Sequence, residues 1–276
     1  MDMKWFHKKN AIDLFSLTSN IIAVLVMLFI GSAIMAIIFG GIGQIKAALL
    51  SPEIGFAFGM SFGTATLSTF LVILFALPTA YAYTKTDMPF RNITSVLLEM
   101  TISMPFILLG LSLLILFSTP FGKAVKEAGF RVIFSPTGIV MAQMLVNLPY
   151  AIRLIITAFL SVSRRMEFVA QTLGASRFQS FRTVLMPMCR KSIVSTCILT
   201  WSRAFGEFGA TLMLVGITRF KTETLPGSIY LCISTGDNSM AMATATIMLA
   251  VSAATLYAAN KLGDSKNSER IDEKIR

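Results

Sequence analysis

The sequence predicts an all-α integral membrane protein with six transmembrane helices and both termini in the cytoplasm. Three observations predict this class. Hydrophobic residues make up 55% of the 276 and charged residues only 14%, where a soluble domain carries about 25% charge. Charge-poor apolar runs of about 20 residues recur along the chain, the length of a helical span and twice that of a barrel strand. Lys and Arg are concentrated in alternate connecting segments, the pattern that fixes orientation in a bilayer.

Taken in order, residues 1–20 form a basic N-terminus with Lys4, Lys8 and Lys9. Residues 21–42 contain no charge and exceed the apolar core of a signal peptide, so they read as a retained first helix. The segment 44–58, with Lys46, Pro52 and Glu53, reads as a loop with room for a short interfacial helix. A second helix over 59–84 begins with Ser61, Gly63, Thr64, Ala65, Thr66 and Ser68, small residues that let helices approach closely. A third spans 93–117 with a kink at Pro105, and residues 119–136 form a loop. A fourth covers 137–160, with Asn147 and Pro149 midway and Arg153 beyond them. Residues 161–191 are polar, a fifth helix covers 192–215, and a sixth covers 240–262. A charged tail, 263–276, completes the six-helix domain of residues 21–262.

Orientation follows from the cations. Sixteen Lys and Arg fall on the side of the termini, residues 85–91 and residues 161–191, and six on the other, with Arg153 and Arg203 inside spans. The larger number marks the cytoplasm of a multi-pass plasma or inner membrane protein. The same rule accounts for the net charge of +10 without nucleic acid as a partner. Cys189, Cys197 and Cys232 have neither metal-ligand spacing nor an even number, and the only histidine is His7. No metal site, Ser-His-Asp set or HExxH motif follows, and no Gly-rich loop ending in Gly-Lys-Ser/Thr is present. The chain is expected to be non-enzymatic, with no cofactor of its own.

Two stretches stand out. In residues 166–187, Met166, Val169, Ala170 and Leu173 form a helical stripe that Gly174 ends. Ser176 and Gln179 have capping-box spacing. Phe178, Phe181, Val184 and Leu185 form a second stripe, ended by Pro187. Phe168 lies opposite the first stripe, where an aromatic implies a partner. Either both helices pack back on the bundle through their stripes, or the elbow docks a partner. In residues 201–216, Arg203 and Glu207 are four apart on one helix, as a structural ion pair or as elements of a pathway. Gly206, Gly209 and Ala210 offer a small-residue face suited to a second copy. Thr211, Thr200 and Ser202 are candidate pathway hydroxyls.

The elbow resembles the EAA loop of ABC transporter permeases: Gly174, nine residues, then Val184, Leu185, Met186 and Pro187 fit its Gly-to-Pro spacing. The family Glu position holds Phe168, the Ala positions hold Val169 and Ala170, and Glu167 sits one residue early. The run Gly206–Thr211 (GEFGAT), with LPTAYAYTKT, LLEMTISMPFILLGLSLL and TETLPGSIY, is similar to the molybdate/tungstate permeases among type I importers. The resemblance implies the type I permease fold, with 161–191 as a coupling loop in which Glu167, Phe168, Ala170, Gly174, Ala175 and Pro187 meet an ATPase. It implies Arg203, Glu207, Thr211, Gly206 and Gly209 as pathway or gate residues. It further implies a homodimer, two ATP-binding cassette subunits that bind the ATP and Mg, an extracellular oxyanion-binding protein, and alternating access for a tetrahedral oxyanion. A sulfate or thiosulfate permease is the alternative within the class. A stand-alone secondary transporter or channel is the alternative outside it.

Overall fold

A computed structural model describes residues 14–263, so the basic N-terminus through Asp13 and the tail from Asp264 lie outside the described residues. The described chain is helical, with no strand. It opens with α1 (Leu14–Gly41), a 3₁₀ turn and α2 (Ile45–Leu50). Ser51 then starts α3 (Pro52–Lys85), its hydroxyl accepting from the Ile54 N–H, with Pro52 in the first turn where its missing donor costs nothing. Next come α4 (Arg91–Ser103) and α5 (Phe106–Ser118), then α6 (Pro120–Glu127), where a loop was expected, and α7 (Pro136–Leu160). The elbow comprises α8 (Arg164–Thr172), α9 (Arg177–Ser180) and a π-helical turn, Phe181–Leu185, that runs into α10 (Met186–Phe205). The chain ends with α11 (Gly209–Val215), α12 (Leu225–Ser234) and α13 (Asn238–Gly263).

Four stretches are long and apolar enough to span a membrane: Phe15–Leu50, Pro52–Lys85, Pro136–Leu160 and Asn238–Lys261. The expected third span is instead two helices, α4 and α5, meeting at 113°. Pro105 lacks an amide proton, and Met104 before it is extended, so the helix ends there and restarts in a new direction. The expected fifth span is α10 followed by α11. It carries Arg190, Lys191 and Arg203, and it breaks at Gly206–Phe208.

Packing is organised around α7. At the elbow end, Ile152, Ile155, Ile156 and Phe159 of α7 meet Val72, Ala76 and Ala80 of α3 and Leu185, Cys189 and Ile193 of the elbow and α10. At the opposite end, Ile139, Ala142 and Val146 meet Leu109 and Leu113 of α5 and Ala210 and Leu214 of α11. Lipid is as apolar as leucine, so close approach and polar ties must hold such helices together. Gln143 supplies one tie: its amide donates to the Ala204 carbonyl at 2.9 Å and the Thr64 hydroxyl at 3.3 Å, joining α7, α10 and α3. Ser61 supplies another, accepting from the Leu225 N–H at 2.8 Å.

Gly110 shows how close the approach is, since a Cβ there would run into the Ala210 backbone. Gly110→Val is therefore expected to cost about 1–3 kcal/mol by overpacking. The expected outcome is lower membrane yield and a lower melting temperature in detergent. Gly63, where a Cβ meets nothing within 4 Å, is the control: Gly63→Ala should lower neither reading, since alanine in an open helix interior is stabilising.

Candidate functional site

The break between α10 and α11 is built by Glu207. α10 closes with the Gly206 and Glu207 N–H groups bonded back to Ser202 and Ala204. The buried Glu207 carboxylate then accepts from the Ala210 N–H at 2.7 Å, the Thr211 N–H at 3.1 Å and the Thr211 hydroxyl. An acid placed here satisfies amides that a new helix leaves open, and it faces the positive end of that helix. Gly216, at φ +66°, ends α11 after two turns.

This overturns the expected pairing of Arg203 with Glu207. Spacing of four places residues on one face only if the helix is continuous, and here it is not. Arg203 instead donates from Nε to the Asn147 carboxamide oxygen at 3.3 Å, and its guanidinium lies 4.4 Å from the Tyr150 ring centroid. The small-residue face is also used within the chain. Gly209 packs on Phe106 and Ile107 of α5, Ala210 on Gly110, and Gly206 on Met248 of α13. Thr211 and Thr200 are buried, and Thr211 is engaged by Glu207. Of the expected pathway candidates, only Arg203 is exposed.

Arg203 belongs to a polar surface that sequence reasoning missed. Asn147, Tyr150 and Arg153 recur at intervals of three and share one face of α7. Arg153 pairs with Glu99 of α4, and Ser103 lies beside them in a shallow cavity of about 380 Å³. The signal was the N-x-x-Y-x-x-R spacing inside an otherwise apolar span.

The elbow is rigid for local reasons. Ala175 donates to Ala170 at 3.0 Å and Gly174 to Gln171 at 3.0 Å, a Schellman closure that needs the φ of +91° at Gly174. The Ser176 hydroxyl accepts from the Gln179 N–H at 3.2 Å, and Gln179 Oε1 accepts from the Ser176 N–H at 2.7 Å. Pro187 does not end the second helix, as expected from the sequence. The wide turn at Phe181–Leu185 closes with the Met186 N–H bonded to the Phe181 carbonyl, and α10 continues past Pro187, which sits in its first turn where the missing donor is tolerated.

The two stripes behave differently. Of the second stripe, Phe181, Val184 and Leu185 face the bundle, Phe181 edge-on to Tyr81 and Phe159, whereas Phe178 is exposed. Met166, Val169 and Leu173 face outward, Leu173 being 83% exposed, and Phe168, on the far side of the helix from that stripe, is 62% exposed as well. What α8 turns to the bundle is Glu167, 7% exposed and ion-paired with Lys85 at the end of α3. Arg164 adds a bond to the Thr84 carbonyl at 3.0 Å.

A helical bundle with a broken, polar-faced span and a rigid helix pair exposed at one end is the architecture of a membrane-embedded permease subunit. The chain belongs to the family of binding-protein-dependent transport system inner membrane components, which matches residues 80–267. It is thus a non-catalytic ABC permease subunit of an inner membrane. It is 28% identical over 214 residues to the sulfate transport system permease protein CysT of Salmonella typhimurium, covering 77% of each chain. It is 34% identical over 195 residues to the probable molybdenum ABC transporter permease protein HVO_B0370 of Haloferax volcanii, covering 70% of each. The fold matches a bacterial alginate ABC transporter crystallised with its alginate-bound periplasmic protein, at TM-score 0.74 and 13% identity over 91% of this chain and 94% of that one.

Glu207→Ala would leave two buried amides open, at about 1–3 kcal/mol each. Thermal unfolding in detergent should show that loss, with Glu207→Gln, which keeps one acceptor, falling between it and wild type. Glu167→Ala would strand Lys85 in a buried site, at about 3–5 kcal/mol. The exchange Lys85→Glu with Glu167→Lys should recover part of that stability in the same assay, whereas independent effects would simply add.

Proposed function

We propose that two copies of this chain form the membrane pathway of an ATP-driven importer for a tetrahedral oxyanion, molybdate or tungstate, with the elbow docked on an ATPase subunit in the cytoplasm. The observation that carries the anionic cargo is Arg203, an exposed cation within the α10–α11 span whose hydrogen-bonded partner, Asn147, is neutral. A charge in a span is costly unless it faces a partner or water. A second copy apposed to the Arg203, Tyr150, Arg153 and Glu99 surface would enclose that water. Hydroxyls, amides and one uncompensated cation suit an ion that must bind and then leave. Relatives named for molybdenum and for sulfate transport both support an oxyanion, and sulfate is the second reading of the cargo.

The coupling surface in this reading is the outward face of α8. Phe168, Val169 and Leu173 are exposed apolar side chains on a helix fixed at both ends, the kind of anchor that fills a pocket on a partner. Glu167 acts inward, transmitting displacement of α8 to α3 through Lys85. An extracellular binding protein would deliver the ion, ATP-driven closure would bring the elbows together, and hydrolysis would reset the pathway inward. The acid expected to touch the ATPase is therefore replaced by Phe168.

Arg203→Gln in the assembled importer should abolish ATP-dependent uptake of labelled molybdate and sulfate while leaving the complex intact. Uptake at half the wild-type rate or above would reject the pathway assignment. Phe168→Ala should weaken ATPase co-purification by about 2 kcal/mol, roughly 30-fold in dissociation constant, and lower uptake with it. Uptake that persists without ATP would point to a stand-alone transporter.

A further inference from the structure

The end of the bundle opposite the elbow carries six cations by the sequence count, and four of them converge. Lys123 and Lys126 of α6, Arg131 after it, and Lys221 after α11 line one cavity of about 630 Å³. No acidic residue lines it, and among the described residues none of the four makes an ion pair. Arg219, next but one to Lys221, is by contrast paired with Glu53 at 2.6 Å. Four like charges sharing one cavity repel, so an unneutralised cluster of this kind favours an anion.

Two further features point the same way. The first turn of α7 borders the cavity, and its cap is unused: the Ser135 hydroxyl bonds the Val132 carbonyl at 2.9 Å, and Thr137 bonds the Arg131 carbonyl. The positive end of a 25-residue helix is thereby left beside the cations. Phe134 on the cavity wall and Phe220 before Lys221 hold φ of +52° and +55°, a region that bulky residues rarely adopt. The loops that bring Arg131 and Lys221 together are held in a costly conformation.

We propose that this cavity binds a tetrahedral oxyanion group through Lys123, Lys126, Arg131 and Lys221. Several donors around a multi-oxygen anion suit ammonium and guanidinium groups together. The cavity exceeds a single bare ion and accommodates either a hydrated inorganic dianion or the phosphate of an anionic phospholipid headgroup. It shares no lining residue with the surface around Arg153 and Glu99, so binding here can be read separately from any role of Arg203.

The test uses full-length protein and its K123Q/K126Q/R131Q/K221Q variant. All four side chains are exposed, so neutralising them should leave the fold intact. If the quadruple variant is not recovered folded, K126Q/K221Q takes its place. Equilibrium dialysis against labelled sulfate and molybdate in lipid-free detergent reads the free ion. Native mass spectrometry after reconstitution with phosphatidylglycerol reads the headgroup. Saturable ion binding weakened at least tenfold in the variant, but retained in Arg203→Gln, supports the site with a free dianion as ligand. Retention of phosphatidylglycerol that the variant loses at least tenfold, without ion binding, supports it with a lipid ligand. Equal behaviour of wild type and variant in both assays overturns the proposal.

Discussion

Within a hydrocarbon slab there is no water to bond a backbone amide, so a span can break only where something else accepts its open N–H groups. Glu207 meets that requirement. Its carboxylate takes the Ala210 and Thr211 amides and the Thr211 hydroxyl, and α11 starts where α10 stops. Without that acceptor the break would carry open, buried donors. The break that Glu207 caps separates that side chain from Arg203 and lies beside the seat of Gly209 and Ala210 against α5.

α7 is what links the break to the elbow. At 25 residues it is about 37 Å long. Its first half packs on α5 and α11, and its second half packs on α3 and the π-helical turn. The elbow is fixed to that second half by the buried Leu185 and Phe159, and to α3 by the Lys85–Glu167 pair. A buried pair stabilises little in total, but it is strongly directional, because separating its members strands both charges. α8 is therefore tied to the bundle by a contact that resists sliding, while its apolar side chains remain outward.

What was legible in the sequence was local. Gly174 and the Ser176–Gln179 cap were readable because each is set by residues within five positions. The apolar runs were readable because length and composition alone limit what can span. The failures come from contacts that span larger distances or from assumed continuity. Spacing of four joined Arg203 to Glu207 only on an unbroken helix. The sequence left open whether the first elbow stripe packs on the bundle or docks a partner, because Lys85 of α3, 82 positions from Glu167, decides which face of α8 turns inward. Pro187 reads as a stop unless the preceding turn widens, and nothing in FRTVL marks a π turn. The polar face of Asn147, Tyr150 and Arg153 was present as a period of three, yet it has meaning only once α10 lies against it.

The use of Glu207 as a cap also bears on the charge that faces the proposed pathway. Had Arg203 paired with Glu207, the two would form a dipole whose field falls off steeply and offers an anion little. Because Glu207 is committed to α11, Arg203 keeps its full charge and is held by Asn147, a neutral amide, and by the Tyr150 ring. A unit charge 4 Å from an anion contributes about 4 kcal/mol at an effective dielectric of 20, and about 1 kcal/mol when the gap fills with water. On the proposed function this range suits transport, because the ion is held while the pathway is narrow and released once water enters. The device that breaks the helix is thus the device that leaves its cation free to meet an anion.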